Sequence, residues 1–258
     1  MISQSHQQLV RSLHDKKGRN ETGKFFVEGT KGVLELLQSS LVVDALYATS
    51  AWCDEFDALL QTSSAIVHIA EESELKKLSL LTTHPSVLAV ARIPQTSFSA
   101  EIFDKQPITL VLDGVRDPGN LGTILRLADW FGCTEVVCSI DSVDAWNPKV
   151  VQATMGSLFR MHVIYEDLFR VFHEAKIHSI SIIGASMEGK SVYEVQHFEK
   201  VLLVMGSESH GLSNATLHAL DETISIPKNN EQAKIDSLNV AMATGIIMSE
   251  LERKRRAG

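Results

Sequence analysis

The chain has 258 residues, 44% of them hydrophobic, and a formal net charge of −8 at pH 7. That length suits two modest domains with ample cores, and the acidic balance excludes a nucleic-acid binder working through a bulk positive field. Any role on a polyanion must rest on specific sites.

The N-terminal "MISQSHQQLVRSLHDKKGRN" has no apolar h-region, and no later stretch reaches the length of a membrane span. A cytoplasmic protein is expected. Cys53, Cys133 and Cys138 are an odd set without metal-type spacing. They predict buried free thiols and no metal site.

From Phe25 short β-rich runs alternate with helical patterns: "FFVEG", "TKGVLELLQSS", "DALYATS", "AWCDEFDALLQ", "AIVHIA", "EESELKKLSLL" and "SVLAVARI". The alternation predicts a small α/β domain over residues 1–93. "PQTSFSAEIFDKQP", residues 94–107, is polar, carries Pro94 and Pro107 at its ends, and reads as a linker. A second alternation fills residues 108–258, from "ITLVL" and "GTILRLADWFG" through "TEVVCS", "PKVVQATMGSL" and "MHVIY" to "SLNVAMATGIIMSELERKRR". Strands apolar throughout, such as Val201 to Met205, belong to a parallel sheet covered by helices on both faces. The last helix is nearly apolar from Leu238 to Met248, so most of it is expected to be buried, in its own core or against a partner chain.

Three strand-loop-helix segments carry candidate chemistry. In "LVLDGVRDPGNLGTILRLADWFG" the glycines do not form G-x-G-x-x-G, so a standard dinucleotide site is disfavoured. Arg126 lies almost opposite the apolar face of this helix, and by itself reads as a solvated arginine paired with Asp129; Asn120 reads as an N-cap. In "VLLVMGSESHGLSN", Ser209 sits where a hydrolase would present its nucleophile. That fold needs an acid and then a histidine downstream. No acid lies between Ser209 and His218, and Ser207 replaces the first glycine of the elbow. In "ISIPKNNEQAKIDSLNVAMATG", Ser237 is the N-cap candidate and Asn239 falls in the first helical turn.

Taken together, "LDGVRDPGNLGTILRLADWFG", "LLVMGSESHGLS" and "ISIP…SLNVAMATGI" resemble, in order and approximate spacing, the three motifs of the SpoU family of ribose 2'-O-methyltransferases, within the SPOUT superfamily. The resemblance covers about Ile108 to Glu252. "KKGRNETGKFFVEGTKGVLELL" is similar to the start of the substrate-binding domain that precedes many of these enzymes, a domain like an RNA-binding ribosomal protein.

The resemblance implies an α/β protein with a small N-terminal substrate-binding domain and a C-terminal SPOUT domain whose chain forms a deep trefoil knot. It implies S-adenosylmethionine as cofactor, held largely through backbone groups at Gly206, Ile226 and Leu238, and a homodimer with its site near the interface. Asn120, Arg126, Glu208, Ser237 and Asn239 match the family's polar active-site positions. Methyl transfer to a ribose hydroxyl is an in-line displacement that needs positioning and a proton acceptor. Arginine stays protonated, so Arg126 is expected to bind phosphate and stabilise developing alkoxide, with Glu208 or a water it orients taking the proton.

Two positions depart from the family's pattern. "KNNEQAKID", Lys228 to Asp236, is long and lacks glycine, which predicts a differently shaped pocket floor; Leu127 stands where a small polar residue is commoner. Between Met1 and Glu35 six Lys or Arg face four acids, and Lys16, Lys17, Arg19 and Lys24 form an expected phosphate-tracking patch. The terminal "RKRR" reads as a solubilising or frayed helix end. Ribosomal RNA is the expected substrate. Transfer RNA, or a non-catalytic RNA-binding or assembly role on the same fold, are the alternatives.

Overall fold

The computed structural model describes residues 2–228, 230 and 237–257. In chain order the described residues begin with α1 (Gln4–Ser12), α2 (Lys16–Thr22), β1 (Lys24–Glu28), α3 (Thr30–Leu37), β2 (Val43–Ala48), α4 (Ser50–Glu55), α5 (Asp57–Leu60), β3 (Ile66–Ile69), α6 (Glu72–Lys76) and β4 (Val87–Arg92). They continue with α7 (Ile102–Lys105), β5 (Ile108–Asp113), α8 (Pro118–Trp130), β6 (Glu135–Ser139), α9 (Pro148–Thr154), β7 (His162–Glu166) and α10 (Leu168–Ile177). The last elements are β8 (Ser181–Ser191), β9 (Val201–Gly206), α11 (Asn214–Ala219), β10 (Glu222–Ser225) and α12 (Val240–Ala257). One unit comprises the chain up to Gln95 together with Asp144–Arg160, and the other Thr96–Val143 together with the chain from Met161 onward.

The first unit holds the sheet β1-β4-β2-β3, in which β4 is antiparallel to both neighbours and β2 is parallel to β3. Leu13, Phe26, Tyr47, Leu75, Leu78 and Leu88 share one core. The segment before Phe25, which carries the expected phosphate-tracking patch, is helical. The side chain of Ser3 accepts from the His6 amide to cap α1, and Gly18 lets α2 approach it, since a Cβ there would lie 2.1 Å from the Ser12 carbonyl oxygen.

Asp144–Arg160 joins this unit and not the run 108–258 in which the sequence places it. The reason is packing: Phe25 on β1 stacks 4.4 Å from Trp146 and 6.0 Å from Phe159, while Val150 and Val151 of α9 are buried. An ion pair reinforces it. Arg19 donates through Nε and Nη2 to Asp144 Oδ2 at 2.9 and 2.7 Å, and through Nη1 to the Leu13 and His14 carbonyls at 2.8 and 3.0 Å. Arg19 is 2% exposed.

The second unit is a six-stranded sheet, β10-β8-β9-β5-β6-β7, parallel at every pairing. Continuous apolar strands were expected of such a sheet, and β5 and β9 are buried at every position. Residues 94–107 are more than a linker: they carry α7, and Phe98, Ile102 and Phe103 are buried in the same core as Val111, Val137 and Phe172. Those apolar groups at 98, 102 and 103 are what draw the segment onto the second sheet. Asp113 pairs with Gly206, so the loops after β5 and β9 leave the sheet side by side. In parallel α/β sheets this carboxyl edge is where ligands bind.

Candidate active site

The loop after β5 turns at Gly114, with φ at +71°, whose amide donates to Ser139 Oγ at 2.9 Å. Asp117, not Asn120, caps α8: its Oδ1 accepts the Asn120 amide at 2.8 Å. Pro118 explains the earlier start, because its fixed φ suits the first helical position and it has no amide to leave unpaired. The Asn120 side chain is thereby released from capping.

The loop after β9 closes on itself. Ser207 and Gly211 exchange two main-chain hydrogen bonds, each 2.9 Å. Gly206 is required by that closure, since a Cβ would lie 2.2 Å from the Gly211 carbonyl carbon. Asp113 anchors the loop's far end by accepting from the Ser213 amide at 2.7 Å. Ser209 Oγ lies 2.6 Å from His210 Nδ1. Among the described residues no carboxylate orients that imidazole, so no triad is assembled.

At the third segment Asn239, not Ser237, caps the helix: its Oδ1 accepts from the Ala241 and Met242 amides at 3.0 and 3.2 Å. With that oxygen held by two donors, Asn239 Nδ2 is free to donate, and it does so to Asn120 Oδ1 at 2.8 Å. Asn120 Nδ2 in turn donates to Glu208 Oε1 at 2.7 Å. Each amide orientation dictates the next, so the relay runs one way and needs an accepting Glu208 oxygen at its end. Glu208 Oε2 has no hydrogen-bond partner among the described residues.

The structure therefore joins Asn120, Glu208 and Asn239, one from each loop. It does not bring Arg126 or Ser237 into direct contact with them. Arg126 is exposed on α8 and, among the described residues, makes no hydrogen bond or ion pair; the expected pairing with Asp129 is not made. Ser237 and Leu238 are exposed ahead of α12, and Ile226 is half-buried just past β10. The Leu238 main-chain N–H and C=O have no partner among the described residues. Most of the long loop 228–236, and with it the expectation about the pocket floor, lies outside the described residues.

Sequence reasoning missed Asp117 and the exposed pair Arg116–Asp141, 2.7 Å apart. The Asp-Pro dipeptide was the available signal for the former. It also misjudged part of the basic cluster, while α12, expected to be buried in its own core or against a partner chain, is buried within this chain in part. Val240, Ala241, Ile247, Met248 and Leu251 are buried, but Met242 is 63% and Ile246 37% exposed, and Trp130 of α8 is 84% exposed. Arg19 is withdrawn from the phosphate patch because its guanidinium is buried and makes four hydrogen bonds within the first unit. Lys24 pairs with Asp44 at 2.7 Å, whereas Lys16 and Lys17 are exposed. The basic tail is helical and paired, Arg253 with Glu250 and Arg255 and Arg256 with Glu252. Cys133 and Cys138 are buried and Cys53 half-buried.

Among the described residues no group of His, Cys, Asp or Glu could hold a metal ion, and no helix is long and apolar enough to cross a membrane.

Residues 107–249 match the SpoU rRNA Methylase family, and residues 7–89 match the MRM3-like substrate binding domain. The 23S rRNA (guanosine(2553)-2'-O)-methyltransferase RlmP of Bacillus subtilis is 28% identical over 242 residues, covering 93% of each chain. A TrmH-family protein from Porphyromonas gingivalis superposes with a TM-score of 0.84 at 34% identity over 100% of both chains. The SpoU methyltransferase AviRb of Streptomyces viridochromogenes, solved with AdoMet, gives 0.87 at 25% identity, covering 99% of this chain and 100% of that one.

Proposed function

The chain belongs to the SpoU rRNA methylase family, and from that premise we propose that ribosomal RNA is its substrate and that the three-loop relay is its catalytic centre. The reaction is transfer of a methyl group from S-adenosylmethionine to a ribose 2'-hydroxyl of RNA. The relay Asn239–Asn120–Glu208 is the observation that carries the assignment of the centre, because it unites one residue from each motif loop at the carboxyl edge of the sheet.

The residues present fit the cofactor. Leu238 offers a main-chain donor and acceptor with no partner among the described residues, the pair an adenine edge requires, and Glu208 is the one charged side chain of the β9 loop, opposite in sign to a sulfonium. The cofactor, when bound, supplies an electrophilic methyl group. Gly206, Ile226 and Leu238 hold it through main-chain groups. Glu208 Oε2 takes the hydroxyl proton, directly or through one water, while Asn120 fixes the carboxylate and Asn239 fixes Asn120. Arg126 remains charged throughout, binds a phosphate of the RNA and stabilises the developing alkoxide. Ser237 positions the loop beside Leu238.

Residues 1–93 present the RNA, with Lys16 and Lys17 as exposed phosphate contacts. The exposed apolar side chains of Met242 and Ile246 on α12 and of Trp130 on α8 support a homodimer, and the family's trefoil knot and a cytoplasmic location complete the reading. The test is methyl incorporation from radiolabelled S-adenosylmethionine into purified ribosomal and transfer RNA. Incorporation into ribosomal RNA, lost in Arg126→Ala, is expected. Incorporation confined to transfer RNA overturns the substrate assignment, and full activity in Arg126→Ala overturns the catalytic one.

A further inference from the structure

The first unit contains a cavity of about 280 Å³ between the β1–α3 turn and α9. Its walls are apolar, supplied chiefly by Phe26, Pro148, Val151, Met155 and Phe159. Glu28, Thr30, Lys31 and Gln152 are the polar side chains that line it. Gln152 is exposed and its side-chain amide makes no hydrogen bond among the described residues. Glu28, which also lines the cavity, is engaged elsewhere, its carboxylate accepting from Ser79 Oγ at 2.6 Å and the Leu80 amide at 3.1 Å.

Two further features lie at the mouth. α3 has Gly29 as its N-cap and so no side-chain cap, and among the described residues the amides of Thr30, Lys31 and Gly32 have no acceptor and the exposed Lys31 has no ion-pair partner. Met155 ends α9 with φ at +52°, a conformation that disfavours a side chain, and is 46% exposed at the rim. An apolar slot with one free amide at its edge and positive charge at its mouth suits a flat ring bearing hydrogen-bonding edges and an attached phosphate.

We propose that this cavity receives one unstacked nucleobase of a single-stranded segment of the RNA substrate, with the adjoining phosphate on the α3 amides and Lys31. The inference rests on the RNA methyltransferase reading above and assigns to the first unit a base-reading site separate from the reacting ribose. The cavity volume of about 280 Å³ accommodates one base, with the Met155 thioether against its ring and the Gln152 amide as donor and acceptor for its edge. Such a site selects unpaired RNA, because a base inside a duplex cannot enter it.

The experiment uses the full chain labelled with [methyl-13C]methionine and two probes, single-stranded dodecamers of uridylate and of adenylate. The Met155 methyl resonance, assigned with Met155→Leu, is expected to move upfield on addition of oligomer through the ring current of the stacked base. Gln152→Trp, an exposed helix-surface change that fills the mouth, is expected to abolish that shift and weaken oligomer binding about tenfold. Lys31→Ala is expected to weaken binding and lower its salt dependence. S-adenosylmethionine binding by calorimetry is expected to be unchanged in both variants.

A Met155 resonance unmoved at saturating oligomer, or one unmoved because no oligomer binds, overturns the proposal. So does unaltered affinity in Gln152→Trp. Methyl transfer by the unmodified chain is measured in the same preparations. Its presence without a Met155 shift removes the base site and leaves the enzymatic assignment standing, whereas its absence counts against the enzymatic assignment and leaves the resonance to be read separately.

Discussion

Asn239 donates to Asn120 across 2.8 Å, joining the cap of α12 to the first turn of α8 although 119 residues separate them in sequence. Both helices begin at the same edge of the sheet, so this one bond fixes the approach of two loops, and Asn120 extends it to the third through Glu208.

Asn239 has two separable duties. Asn239→Ala removes the cap and the donor, and is expected to destabilise the protein by about 1 kcal/mol and reduce methyl transfer more than tenfold. Asn239→Asp keeps a capping oxygen but opposes oxygen to oxygen at Asn120. Its melting temperature should stay near that of the wild type while its activity falls as in the alanine variant. Calorimetry paired with single-turnover methylation separates the two, and wild-type activity in Asn239→Asp refutes the relay.

Arg126 has no partner in the described structure, so its removal leaves nothing unsatisfied. Arg126→Ala should keep the melting temperature within about 1 °C of wild type, as surface changes usually do. Methyl transfer should fall about 100-fold or more, the scale for losing a group that stabilises developing charge. Arg126→Lys should recover only part of it, because an ammonium lacks the planar fork.

Arg19 and Lys16/Lys17 belong to one basic cluster and should behave oppositely. Arg19→Met leaves Asp144 without its cation, and breaking such a buried pair is expected to cost about 3–5 kcal/mol in stability. Lys16→Ala with Lys17→Ala should leave stability unchanged and reduce the salt dependence of RNA binding. Denaturant melts and filter-binding titrations check each half.

Glu252 is held down at about 2, from an ordinary 4.5, first by its hydrogen bond from Arg255 and further by Arg256. A depressed folded-state value means stabilisation that is complete above about pH 4.5 and lost as pH falls toward about 2. Because Arg256 is largely exposed, the contribution is only on the order of 1 kcal/mol after solvent screening. The stability difference between wild type and Glu252→Gln, measured by urea melts from neutral pH downward, should shrink to nothing over that window. A constant difference would remove the ion-pair explanation.

Burial pushes the Cys133 and Cys138 thiols up to about 12, whereas Cys53 is half-buried. Alkylation of the native protein at pH 8 followed by mass spectrometry should label Cys53 slowly and the other two only after unfolding.

The parallel sheet was legible because β5 and β9 are mostly apolar on both faces, a pattern that two-sided burial demands, and both are buried at every position. The three loops were legible as motifs, but not the direction of the bonds between them. The cap expected of Asn120 falls to Asp117 and the cap expected of Ser237 to Asn239, since Pro118 advances the start of one helix and the other begins later than Ser237. The basic run around Arg19 reads identically whether its charges are solvated or buried, and only Asp144, 125 residues away, decides between them. The same distance hides the allegiance of α9, whose apolar face would suit either sheet.

That allegiance constrains how the protein is made. A chain emerging from its N-terminus has all four strands of the first sheet by Arg92, yet Phe25 still lacks Trp146 and Phe159, and Arg19 still lacks Asp144. Its completion must wait until Arg160 has been synthesised, by which point β5 and β6 already exist. The first unit cannot mature until part of the second has been made, and a fragment ending near Gln95 would carry an unpaired buried cation and an uncovered aromatic face.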